Sequence, residues 1–155
     1  MGSIEKLEAD VELKSESIKV WGAVKDSPNF FPKAMPHHYK SIEIVEGADH
    51  VVGSVRLVTY ADGNPIKTTK EKIDVVDDEK KTLAYSVVDG EGITHYKSFK
   101  AQVVVEEKGE GSLVKWTCEY EKIKEDEELP ISPENLKEFA IATFKELDDF
   151  LLKAN

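Results

Sequence analysis

The chain has 155 residues, 21 Lys plus Arg against 31 Asp plus Glu, and a formal net charge of −10. That length suits one domain, 1–155, and 40% apolar residues are enough to fill a core. No basic block exists to neutralise phosphates, no apolar run approaches the ~20 residues of a bilayer span, and a lone Cys118 excludes an intrachain disulfide. No nucleic-acid partner and no integral membrane association are therefore expected.

Residues 1–6 lack the basic and apolar regions of a secretion signal, and Lys6 stands where a myristoylation motif wants Ser or Thr. A cytoplasmic location is the expectation, and one reduced cysteine suits it. Leu7, Ala9, Val11 and Leu13 then alternate with charged residues, which predicts a strand with one face on a core. Ser15 reads as the N-cap of a short helix carrying Ile18, Trp21 and Val24 on one stripe. Asp26-Ser27-Pro28 breaks it, and a second short helix over 30–36 is bounded by prolines.

From Tyr39 to Tyr120 the pattern is strands joined by turn signals. Ile42 and Ile44 mark one strand, and 55–60, 66–76, 82–88, 93–105 and 113–120 mark the others. The intervening turns, such as Asp62-Gly63-Asn64-Pro65, are too short for parallel crossovers, so the neighbours should be antiparallel. The acidic runs at 77–79 and 125–128 read as solvated turns. Ser132-Pro133 is a strong helix start. The helix that follows, 133–153, carries Leu136, Phe139, Ala140, Thr143, Phe144, Leu147, Phe150 and Leu151 on one stripe. Lys137, Glu138, Lys145, Glu146, Asp148 and Asp149 should face away. Such a helix spans roughly 31 Å and needs a broad apolar surface to lie on, which only the sheet can offer. The expected fold is α+β: a curved seven-stranded antiparallel sheet around a long C-terminal helix, with two short helices after the first strand.

This order of elements resembles the birch-pollen-allergen superfamily of plant proteins, a START-like helix-grip group that includes the class-ten pathogenesis-related proteins. Asn29-Phe30-Phe31-Pro32-Lys33-Ala34-Met35-Pro36 is similar to that group's second-helix motif. Gly53-Ser54-Val55-Arg56-Leu57-Val58-Thr59-Tyr60, Tyr96-Lys97-Ser98-Phe99-Lys100 and Gly111-Ser112-Leu113-Val114-Lys115-Trp116 resemble its major latex protein branch. The resemblance covers essentially the whole chain. One segment departs from the class-ten branch: Glu46-Gly47-Ala48-Asp49-His50-Val51-Val52-Gly53 has glycine only near its ends. Asp49 would repel a phosphate there, so nucleotide binding by this loop is not expected.

The resemblance implies an internal hollow between sheet and helix, holding hydrophobic plant metabolites of steroid, lipid, flavonoid or hormone type, in a defence or stress setting. It also implies an alternative, since some relatives cyclise or isomerise alkaloid or iridoid precursors in the same hollow without a cofactor. The lysine-bearing site of the norcoclaurine synthases has no evident match here. A monomer or weak dimer is expected.

Strand parity selects the lining residues. Val114, Trp116, Cys118 and Tyr120 share one face, as do Leu83, Tyr85 and Val87, and as do Phe99, Ala101, Val103 and Val105. Each set reads equally as core or as cavity wall. Thr69, Glu71, Ile73 and Val75 share another inward face, and Arg56 lies with Val58 and Tyr60 on the preceding strand. Arg56 and Glu71 can pair across those strands as a polar anchor, unless a bulge turns both to water. From the long helix, Leu136, Phe139, Ala140 and Thr143 are the positions that the resemblance implies for the cavity wall, and Phe31 and Tyr39 complete the expected ligand-binding set. His95, Glu71 and Tyr85 are the candidate acid–base groups, His95 being placed on the long strand. His37 and His38 are neighbours that diverge on an extended chain, and no histidines stand at helical spacing, so neither a metal nor any other cofactor is expected.

Overall fold

Alternation of apolar and charged residues makes β1 (Glu5–Leu13) an edge strand, with Ala9, Val11 and Leu13 buried beneath exposed neighbours. In the computed structural model, which describes residues 3–126 and 128–154, β1 is followed by helices α1 (Ser17–Lys25) and α2 (Ser27–Ala34). Strands β2 (Tyr39–Glu46), β3 (Val55–Tyr60), β4 (Thr68–Asp77) and β5 (Thr82–Gly90) come next. A single 3-10 turn (Glu91–Ile93) leads to β6 (Tyr96–Lys108) and β7 (Gly111–Lys122), and α3 (Pro133–Lys153) closes the chain.

All pairs are antiparallel, in the order β1-β7-β6-β5-β4-β3-β2, so chain neighbours pair except that β1 returns to the far edge beside β7. Ser132 caps α3, its side chain accepting a hydrogen bond from Asn135 N at 3.1 Å, as the Ser-Pro start predicts. Gly90 permits the close approach of β5 to β4: its φ is +92°, and a Cβ there would lie 2.8 Å from the Thr68 carbonyl. Of the acidic run 125–128, Glu127 lies outside the described residues.

The structure corrects several sequence expectations. Ser15 is no N-cap: Glu16 holds that position and α1 begins at Ser17, while Ser15 N and Lys14 N donate to Asp148 at 2.9 and 3.0 Å. Asp148 is thus buried rather than outward, accepting the backbone where β1 turns into α1. Ile18 is 67% exposed, and Val20 and Ala23 join Trp21 and Val24 on the buried face. The second helix starts at Ser27, since Pro28 supplies a helix-compatible φ in the first turn and does not break it. Asp78 is more than a solvated turn residue: it accepts from Trp21 Nε1 and Lys25 Nζ, both at 2.9 Å, and its carboxyl is held below the usual range chiefly by Lys25 and then Trp21. Val75 is 41% exposed, because a register shift between Ile73 and Val75 turns it outward.

Candidate functional site

The sheet curves over α3 without filling the space beneath it. Near the N-terminal half of α3 a cavity of about 170 Å³ remains, below the ~300–1,000 Å³ of a site ready for a drug-sized molecule. Aromatic rings account for the shortfall. Tyr39 lies 5.5 Å from Phe31, 5.6 Å from Tyr60 and 5.9 Å from Phe139, ring centre to ring centre. The Phe139 ring in turn stands edge-on to Tyr60 at 6.3 Å. These four rings converge on one end of the cavity and occupy volume that the sheet's curvature would otherwise leave open.

Fifteen of the residues expected from sequence line it: Phe31, Tyr39, Arg56, Val58, Tyr60, Thr69, Glu71, Leu83, Tyr85, Phe99, Trp116, Leu136, Phe139, Ala140 and Thr143. Three do not. Val114 and Cys118 are buried in the core between β6, β7 and β1, away from the wall, and burial pushes the Cys118 thiol up to about 12. His95 lies in the turn before β6, its carbonyl accepting from Ile123 N at 3.1 Å, and is not in the lining. Parity missed the contributions of turns and helix junctions: Ser27 at the start of α2, and Asn64, Pro130 and Ile131 from connecting segments, reach the cavity.

Arg56 and Glu71 face one another directly in the β3–β4 register. The guanidinium, 2% exposed, turns its hydrogen bonds elsewhere: Nη1 donates to Ser27 Oγ at 2.7 Å and Nη2 to the Lys25 carbonyl at 3.0 Å, with Asp49 Oδ1 at 3.5 Å. The expected direct Arg56–Glu71 ion pair is therefore not formed; Arg56 ties β3 to the α1–α2 junction. Its Nε has no hydrogen-bond partner. Left without a bonded counter-charge, Glu71 feels burial first, which pushes its carboxyl from 4.5 up to about 7, against a smaller downward pull from Arg56. Burial likewise drives the Tyr39, Tyr60 and Tyr85 hydroxyls well above their usual range, and Glu71 adds to each. The buried hydroxyls of Thr143 and Thr69 stand beside those of Tyr39 and Tyr60. The cavity is thus an apolar chamber with a carboxyl that changes charge near neutral pH and buried hydroxyls beside it.

His37 and His38 do not diverge. Both His38 N and Tyr39 N donate to the Met35 carbonyl, so the chain turns sharply and brings both imidazoles to Glu146 of α3.

The sequence profile described as the pathogenesis-related protein Bet v 1 family matches residues 2–154. The chain belongs to that family. It is 42% identical to MLP-like protein 423 of Arabidopsis thaliana over 99% of this chain and 97% of that protein. The fold superposes on the crystal structure of ginseng major latex-like protein 151 from Panax ginseng with a TM-score of 0.85, at 28% identity, covering 96% of this chain and 98% of that one. The norcoclaurine synthase of Thalictrum flavum, solved with dopamine and hydroxybenzaldehyde, shares the fold at a TM-score of 0.77 and 19% identity, with 99% and 90% of the chains covered. These matches place the chain in the major latex protein branch of a helix-grip family, as its motifs indicate. Among the described residues no helix is long and apolar enough to cross a membrane.

Proposed function

We propose that this chain is a non-enzymatic carrier or receptor for a hydrophobic or amphipathic small molecule held between the sheet and α3. One observation carries the reading: an apolar chamber walled by Leu83, Phe99, Trp116 and Phe139 carries polar groups on its wall, among them Glu71, Tyr39, Tyr60 and Thr143. Such a site grips an apolar body by burial and orients it by one polar end. Steroid, lipid, flavonoid and hormone-like molecules have that shape, and a defence or stress role in the cytoplasm suits a monomer or weak dimer that stores or presents one. The test is an environment-sensitive apolar dye. The folded protein should raise its fluorescence, a fatty acid or steroid should reverse the gain, and native mass spectrometry of protein taken from its own tissue should find a bound metabolite. A folded protein that neither brightens the dye nor carries a molecule refutes the reading.

A second reading is favoured by Glu71 alone. A carboxyl held near 7 in an apolar cavity can give or take a proton at neutral pH. A cofactor-independent cyclase or isomerase of an alkaloid or iridoid precursor would use that group, with Tyr85 next to it. Turnover lost in Glu71→Gln while ligand binding persists would establish it.

A further inference from the structure

We propose that His37, His38 and Glu146 form a binding site for a late first-row divalent cation of the Zn(II) type, clamping the α2–β2 turn onto α3. The ligand atoms of the three side chains all lie within 4.8 Å of one another. His37 Nε2 stands 2.6 Å from Glu146 Oε1, and His38 Nε2 stands 2.6 Å from Oε2. The two nitrogens therefore address the two oxygens of one carboxylate, His37 lying 109 positions away along the chain and His38 next to it.

The second contact is not a satisfied hydrogen bond. Glu146 Oε2 is buried and has no partner in hydrogen-bonding geometry, although the His38 nitrogen is beside it. A buried carboxylate oxygen next to an imidazole nitrogen that does not donate to it is what a shared cation would complete. Zinc takes imidazole nitrogen at about 2.0–2.1 Å and carboxylate oxygen at about 2.0–2.2 Å, which separates tetrahedral ligand atoms by roughly 3.3 Å. Each N···O contact needs to open by only about 0.7 Å, within reach of small side-chain rotations. Two imidazoles and one carboxylate suit Zn(II), Ni(II) or Cu(II) and not Mg(II), which prefers oxygen. The His37 side chain is 58% exposed, so water can take the fourth position.

The site is held from behind. His38 stands edge-on to Phe139 at 4.8 Å, and the turn at Met35 fixes the backbone of both histidines. The one other comparable cluster among the described residues, Asp26, Asp49 and His50, already has the Arg56 guanidinium 3.5 Å from Asp49, so a cation there would meet a buried positive charge.

The experiment is calorimetric titration of the chelator-treated protein with ZnCl₂, paired with thermal melting and with MgCl₂ as the control cation. One equivalent of Zn(II) should bind and raise the unfolding midpoint, because a ligand held by the folded state alone stabilises it. MgCl₂ should do neither. Glu146→Gln and His37→Asn should each weaken Zn(II) binding by more than the roughly tenfold that losing a supporting partner costs. His37 is exposed, so its variant should melt normally without metal, and His50→Asn should bind as the parent does. Absence of Zn(II) binding at micromolar concentration, retention of it in Glu146→Gln and His37→Asn, or its loss in His50→Asn would each overturn the proposal.

Discussion

Replacing Glu71 by Gln should make the protein more stable above neutral pH and leave it unchanged in acid. The folded protein holds the Glu71 proton up to about pH 7, whereas an ordinary carboxyl releases it near 4.5. Between those values the folded state binds a proton that the unfolded chain has given up, so stability falls as pH rises through the window. Above it the loss is complete, at most about 3–4 kcal/mol for a shift from 4.5 to about 7 at about 1.4 kcal/mol per pH unit. The amide carries no charge and no such loss. Every other titrating group is shared, so the difference between parent and variant isolates Glu71. Urea unfolding from pH 4 to 8.5 reads it as a midpoint displacement at constant slope. The variant should match the parent near pH 4.5 and gain progressively to pH 7. A difference within about 0.5 kcal/mol at every pH would mean that the carboxyl is solvated like a surface group. A variant that becomes weaker as pH rises would mean that Arg56 and Glu71 do form an ion pair, and the reasoning from their separate partners would fail.

Arg56→Met should cost about 3 kcal/mol by urea unfolding, because it strands the Lys25 carbonyl and Asp49 and removes the positive charge opposite Glu71. Adding Glu71→Leu should recover part of that at pH 8 and little at pH 5, where Glu71 is already neutral. Asp148→Ala should cost about 2–3 kcal/mol, since two backbone N–H groups lose their acceptor. Asp148→Asn, which keeps one acceptor oxygen, should cost less. Phe139→Ala should cost less than the roughly 3–5 kcal/mol of a fully buried phenylalanine, and should increase the dye signal by opening the ring cluster.

The helix α3 and the sheet were legible because each carries a period the chain cannot hide: Ser132-Pro133 starts a 21-residue amphipathic helix, and the turns between strands are too short for crossovers. The strand residues of the cavity wall, such as Val58, Glu71, Tyr85 and Trp116, follow from the same alternation, and those of α3 from the family resemblance. What parity could not read was anything decided by a third body. Val114 and Trp116 share a strand face, yet only Trp116 reaches the cavity, because α1 packs against β7 and Val114 is enclosed in the core. Arg56 points inward as alternation requires, but the α1–α2 junction offers it a serine hydroxyl and a carbonyl that a two-strand argument does not contain. Asp148 looked like a surface residue because its partners are backbone amides, which have no sequence signature. His37 and His38 converge because of a turn at Met35 that no glycine announces.

The length of α3 divides the molecule's tasks. Its C-terminal part buries Leu147 and Leu151 against the core of β1, β6, β7 and α1, where Val11, Val20, Val105 and Val114 are almost fully enclosed. Its N-terminal part spends Leu136, Phe139 and Ala140 on the wall of an underfilled chamber. Close packing at one end is what lets the other remain loose: a void forfeits dispersion contacts and is tolerated only when the rest of the core overcompensates. The polar groups follow the same division, since Asp148 secures the packed end through backbone amides while Glu71, Tyr39 and Tyr60 stand at the open one. Glu146 lies between the two, on the solvent side, where the α2–β2 turn crosses the helix. The α2–β2 turn thus meets α3 at the boundary, where His38 joins the ring cluster edge-on to Phe139, apart from the core that holds the helix in place.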